Sequence, residues 1–232
     1  MAFPESIKSK VYEYCTNHLP DDNWYKEEFS FIEDNSLKKR IIEEFKSIRF
    51  AYKLYEGIEA TNENHIFEVR HQIFVYASIY EAIIHYILYN YYKDTDEVRK
   101  LQYHTVPTRL SFSEQQMVNV KKILNRANED IFIYHMQERK KEQSQIRFDD
   151  KCYTAAKLGL INSFKNNNGE TIDLPSEIIQ IYEYRNAIHL VAEQRKKVDY
   201  ELTLSKKAYK RMQPFLSQVK EGLRRDHKGI YS

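Results

Sequence analysis

Residues 66–92 read IFEVRHQIFVYASIYEAIIHYILYNYY and are apolar nearly all the way round a helix. In a water-soluble chain such a helix is expected at the centre with other helices packed around it, because a surface helix keeps one face polar. A membrane span is disfavoured, since Ser78, Glu81, His85 and Asn90 interrupt the run and ionisable groups at that depth are costly. Only five glycines and five prolines occur in 232 residues, so turns of special backbone geometry are few and long helices are favoured.

Towards the N-terminus, Leu37, Ile41, Phe45, Ile48, Tyr52 and Tyr55 recur at three and four residues, one face of an amphipathic helix that ends near Gly57. A short helix around Ile7 to Cys15 precedes it, then an irregular stretch with Pro20 and Trp24. Residues 1–64 are therefore read as an N-terminal helical extension and 65–232 as the bundle proper. Towards the C-terminus, residues 93–113 read as a connection broken by Pro107. Ser113 is placed to cap a helix with Met117, Val120, Leu124, Ala127 and Ile131 on one face, fading into the charged run QERKKEQSQ at 137–145. DDKCYTAAKLGLI (149–161) makes a short helix and NNNG (166–169) a loop. A further helix begins near Asp173, Leu174 and Pro175, proline being favoured in a first turn. The last starts about Ser205, buries Ala208, Met212, Phe215, Val219 and Leu223, and is bent by Pro214. No run alternates with a convincing period of two and no repeat of fixed length is visible. The expectation is an all-α helical bundle.

The net charge is only +2, but it is unevenly spread: residues 185–232 hold 12 Lys/Arg against 5 Asp/Glu, a net of +7 that leaves −5 for residues 1–184. A basic end of this kind attracts phosphate backbones; it is equally what a solvated helix face looks like. Cys15 and Cys152 form no CxxC pair, and MAFPESIKSK has no basic-then-apolar leader pattern, so a reducing cytoplasm is the expected compartment.

The residues that carry chemistry sit in IYEYRNAIHL, 181–190. With Arg185 at zero and 100° per residue, Ile178, Ile181, Tyr182, Ile188, His189 and Ala192 all fall within about 60° of it, so Arg185 and His189 lie inside the apolar stripe. Asn186 lies on its shoulder, at about 100°. A guanidinium cannot shed its proton, so the position demands an anion or a pocket open to one. The central helix offers the anion. Glu81 sits in a stripe with Phe74, Ala77, Ile84 and Leu88, and Glu81 is expected to hold Arg185 or His189 by charge-assisted hydrogen bonds. Such a meeting has two readings. It is a buried ion pair that fixes helix register, or it is a phosphate-binding and acid–base site, with arginine for phosphate oxygens, histidine for proton transfer near neutral pH and asparagine to orient either.

The order ASIYEAIIHYIL on an early helix, IYEYRNAIHL on a later one and a last helix beginning near LSKKAYKRM resembles the HEPN superfamily of helical domains over roughly residues 66–225. The resemblance implies a helical bundle and a metal-independent endoribonuclease of toxin–antitoxin, phage-defence and related systems. Arg185, Asn186 and His189 correspond to the family's arginine–polar–histidine signature, and Glu81 to the polar residue of its earlier helix. Only three residues separate Arg185 from His189 here, where the family pattern has four to six. The implied roles are His189 as base or acid, Arg185 on the phosphorane charge, Asn186 orienting His189 or touching phosphate, and Glu81 positioning the pair. RNA is the implied substrate, a homodimer the implied assembly, and an antitoxin or partner subunit the implied regulator; no cofactor is called for. The alternative is a non-catalytic helical module that uses the same pocket for a nucleotide, RNA or partner protein. Other signals are weaker. Glu81 and His85 have metal-ligand spacing without a second such set, Cys15 and His18 are half a zinc site, and no phosphate-loop or GxSxG motif occurs.

Overall fold

The computed structural model describes residues 2–126, 128–188 and 200–232. Among them nine α-helices account for most of the chain: α1 Glu5–Thr16, α2 Asp22–Glu28, α3 Asn35–Gly57, α4 Asn62–Tyr91, α5 Asp96–Gln102, α6 Glu114–Ile123, α7 Phe148–Lys157, α8 Leu174–Asn186 and α9 Leu202–Arg225. The protein is all-α, as the apolar spacing requires.

The central position of α4 follows from its composition. Ile73, Tyr76, Ala77, Tyr80, Ile83, Ile84 and Ile87 are all buried to 2% exposure or less, and α3, α7, α8 and α9 all pack on this helix. Each of the isoleucines among them stabilises by about 1.5–3 kcal/mol relative to exposure. The stripe of α3 predicted by spacing contributes Ile41, Phe45 and Ile48. That of α9 contributes Ala208, Met212, Phe215, Val219 and Leu223. Tyr80 shows how α4 accommodates polar tips in this core: its hydroxyl donates to the Ala208 carbonyl at 2.8 Å. Among the described residues no helix is long and apolar enough to cross a membrane.

Two compact units can be distinguished, residues 1–93 with 147–232, and residues 94–146. Helices α1 and α3 therefore belong with α4, α1 packing on α3 and α3 on α4, rather than forming an extension divided off at residue 64. The stretch around Trp24, expected to be irregular, contains α2. Asp21 caps it, its carboxylate accepting from the Trp24 amide at 2.8 Å.

The second unit departs most from expectation. Two strands occur where none were expected, β1 Tyr103–Arg109 and β2 Tyr134–Lys140, paired antiparallel from Tyr103↔Lys140 to Arg109↔Tyr134. Period-two patterning is absent from the sequence because β2 is exposed along its whole length and so has no apolar face to alternate. Pro107 fits because a two-stranded ribbon consists of edges. Helix α6 begins as read, with Ser113 and Gln116 forming a capping box, but stops at Ile123 instead of running to Ile131. Asn125 adopts a left-handed φ of 54°. The Asn125 amide donates to Lys122 O and the Arg126 amide to Lys121 O, a Schellman ending with asparagine in the place usually taken by glycine. The charged run Glu138–Lys140 is consequently strand. In the first unit, β3 Phe164–Lys165 and β4 Thr171–Ile172 flank the NNNG loop as a minimal hairpin.

Candidate functional site

Helix α8 starts where the sequence places it. The Asp173 side chain accepts from the Ser176 amide at 3.3 Å and hydroxyl at 2.7 Å, with Pro175 in the first turn. Ile178 and Ile181 are buried, so the next residues on that face, Tyr182 and Arg185, are carried towards α4. Glu177, on the same helix, locks α8 to α9 through Arg211 and through Lys207 at 3.1 Å. Burial works to raise the Glu177 carboxyl, and the hydrogen bonds and charges of Arg211 and Lys207 overcome it, so it titrates below the usual range.

The pairing expected between the two interrupted stripes is present. Arg185 donates from one terminal nitrogen, Nη1, to Glu81 Oε2 at 2.7 Å. The Tyr182 hydroxyl donates to the other oxygen, Oε1, at 3.1 Å. The two ion-pair side chains are 24% and 31% exposed, so the pair is desolvated on one side and open on the other. The guanidinium carbon also lies 4.9 Å from the Tyr182 ring centroid and 5.4 Å from that of Phe74, within cation–π range. Tyr182 is held in turn by stacking on Phe148 of α7 at 4.2 Å. Burial, and next the Glu81 charge, push the Tyr182 hydroxyl above its ordinary value and keep it a donor.

Asn186 is exposed and closes α8, which gives way to a turn at Ala187. His189 lies outside the described residues. The structure thus brings Glu81 and Arg185 together and leaves Asn186 at the surface beside them.

Lys151 and His85 complete the neighbourhood and were not singled out as a pair in the sequence. Lys151 is 9% exposed, and its Nζ lies 3.4 Å from His85 Nδ1. Burial depresses the Lys151 ammonium, an effect the Glu81 charge opposes. Burial, then the Lys151 charge, depress His85, with Glu81 again opposing. The signal was available: Phe148, Lys151, Cys152 and Ala155 share one face at helical spacing, so Lys151 interrupts an apolar stripe as Glu81 and Arg185 do. Comparison of the chain with known protein families, with curated proteins and with solved structures finds no match, so the chemistry of this corner stands on its own geometry.

Proposed function

We propose that this protein is a metal-independent endoribonuclease of the HEPN type, acting as a toxin or phage-defence effector. The observation that carries the reading is Arg185. It is fixed on Glu81 by one nitrogen, open on one side, and placed four residues before His189. The ribose 2′-hydroxyl attacks the adjacent phosphorus, losing its proton to a base, while the bond to the 5′-oxygen breaks and that oxygen takes up a proton. Arg185 offsets the charge of the phosphorane, and His189 serves as base or acid. Glu81 holds the guanidinium in place, and Asn186 orients His189 or contacts phosphate. The products are a 2′,3′-cyclic phosphate and a 5′-hydroxyl. Two copies in a homodimer would supply the two proton-transfer groups, and an antitoxin or partner subunit would silence the pair.

The test is incubation of purified protein with labelled RNA in excess EDTA, wild type beside Arg185→Ala and His189→Ala, with end-group analysis. Cleavage by wild type alone, leaving cyclic phosphate ends, is expected. Growth arrest on expression of wild type but not of His189→Ala is the cellular counterpart. One observation favours the alternative of a non-catalytic binding module. Glu81 already satisfies one edge of Arg185, as a register-fixing ion pair would; intact RNA in all three samples, with normal folding, would select that reading.

A further inference from the structure

Three helices each contribute two side chains spaced one turn apart to the same corner: Glu81 and His85 from α4, Phe148 and Lys151 from α7, Tyr182 and Arg185 from α8. Lys151 is the anomaly among them. Lysine is almost never buried without an anionic partner, yet Lys151 makes no ion pair among the described residues. Its one hydrogen-bond partner is an imidazole nitrogen. The carboxylate that faces it, Glu81, has both oxygens engaged by Tyr182 and Arg185. Among the described residues two cations therefore share one carboxylate, in a corner that also holds Phe148, Tyr182 and Cys152.

The state of His85 follows from the charge carried by Lys151. An ammonium has only donors, so Nδ1 must accept, and the imidazole is neutral with its own proton on Nε2. The groups facing it are Lys151 from α7, with Glu81 and Tyr89 from its own helix. Arg185 gives Nη1 to Glu81 and also interacts with the Tyr182 hydroxyl, and the five donors of a guanidinium exceed these two acceptors. Among the described residues, the Lys151 ammonium and the Arg185 guanidinium thus face the same carboxylate.

We propose that this corner binds a phosphate group, held between the Lys151 ammonium and the remaining donors of the Arg185 guanidinium, with His85 positioning the ammonium through Nδ1. The site deepens the reading above and rests on it for the source of the ligand, a phosphodiester of the RNA backbone. Lys151 is then a substrate-binding residue and His85 a positioning one, which explains why the fold tolerates a buried amine at the junction of three helices.

The experiment follows the histidine ring resonances of the full-length protein by NMR. Inorganic phosphate and, separately, a 2′-deoxy trinucleotide that cannot be cleaved by 2′-attack are titrated at constant ionic strength. Saturable shifts of the His85 signals are expected with both probes. Lys151→Gln should weaken binding by about tenfold or more, as loss of a charge-assisted contact does. Lys151→Gln removes a buried charge and is expected to stay folded, which circular dichroism checks. Lys157→Gln, an exposed change on the same helix, should leave affinity unchanged. Absence of saturable shifts, or equal affinity in Lys151→Gln, overturns the proposal. Binding of inorganic phosphate without the trinucleotide overturns its assignment to an RNA backbone. Cleavage of RNA by wild type without any shift at His85 sinks this site and leaves the nuclease standing. Binding without cleavage of any RNA does the reverse.

Discussion

Glu81 is the side chain on which the others of its corner depend: it accepts from Arg185 and Tyr182 and faces Lys151. Removing it strands two cations, whereas Glu81→Gln keeps an acceptor for one of them. Glu81→Ala is therefore expected to destabilise the fold by about 2–4 kcal/mol and Glu81→Gln by about half as much, read from urea unfolding. Equal stability of the two variants would show that the carboxylate contributes shape rather than charge. The pairing of Glu81 with Arg185 was legible because each breaks an apolar stripe in a helix long enough to define one. Lys151 obeys the same rule, but α7 has only ten residues, and its stripe is easily taken for chance. Tyr182 was legible as apolar and not as a donor, because the identity of the acceptor depends on a helix about a hundred residues away in sequence.

Among the elements, spacing located the long helices to within a few residues: α3 from its stripe, α4 from its uniform apolarity, α8 from Asp173 and Pro175. The ribbon of β1 and β2 escaped because β2 is exposed along its whole length and is held by its pairing partner and by α5, whose Arg99 bonds Glu138 at 2.9 Å, which no apolar period in β2 reveals. The end of α6 escaped because asparagine, unlike glycine, only permits a left-handed turn. Helix α6 has no buried residue, while α4 has fourteen. Its backbone hydrogen bonds are thus held by little beyond its own capping box. Amides of α6 are expected to exchange with deuterium at least about a hundredfold faster than those around Ile83 in α4. Comparable protection in the two helices would mean that α6 is covered in solution.

For the molecule as a whole, buried Glu68 and half-buried His85 bias stability in opposite directions with pH. Burial raises the Glu68 carboxyl to about 7, with Gln72 lowering it and Glu56 raising it. Between the unfolded value and about 7 the folded state keeps a proton that the unfolded chain releases, so stability falls as pH rises through this window. His85, depressed, acts oppositely: the unfolded chain binds the extra proton just below the ordinary histidine value, so stability there rises with pH. Glu68→Gln should match wild type near pH 4.5 and exceed it at pH 8 by on the order of 2 kcal/mol. Denaturant midpoints at the two pH values check this, and a constant difference between wild type and variant across the range would refute it. The division into units was the least legible property at this scale. The boundary was read at residue 64, but α1 packs on α3 and α3 on α4, and the Phe45 ring of α3 lies 6.3 Å from that of Tyr209 in α9, contacts that spacing within one helix does not show.

Trp24 is the only tryptophan among 19 tyrosines. It stands edge-on to the buried Tyr25 at 5.0 Å and near Phe45 of α3 at 6.3 Å. The chain therefore carries one indole fluorophore, placed where α2 meets α3, and a crowd of tyrosine donors whose excitation drains into it. Emission at long wavelength reports the docking of α2, while far-ultraviolet ellipticity reports the helices together. Recorded in one titration, the two signals separate a first unit that melts as a single body from one whose N-terminal helices peel away first.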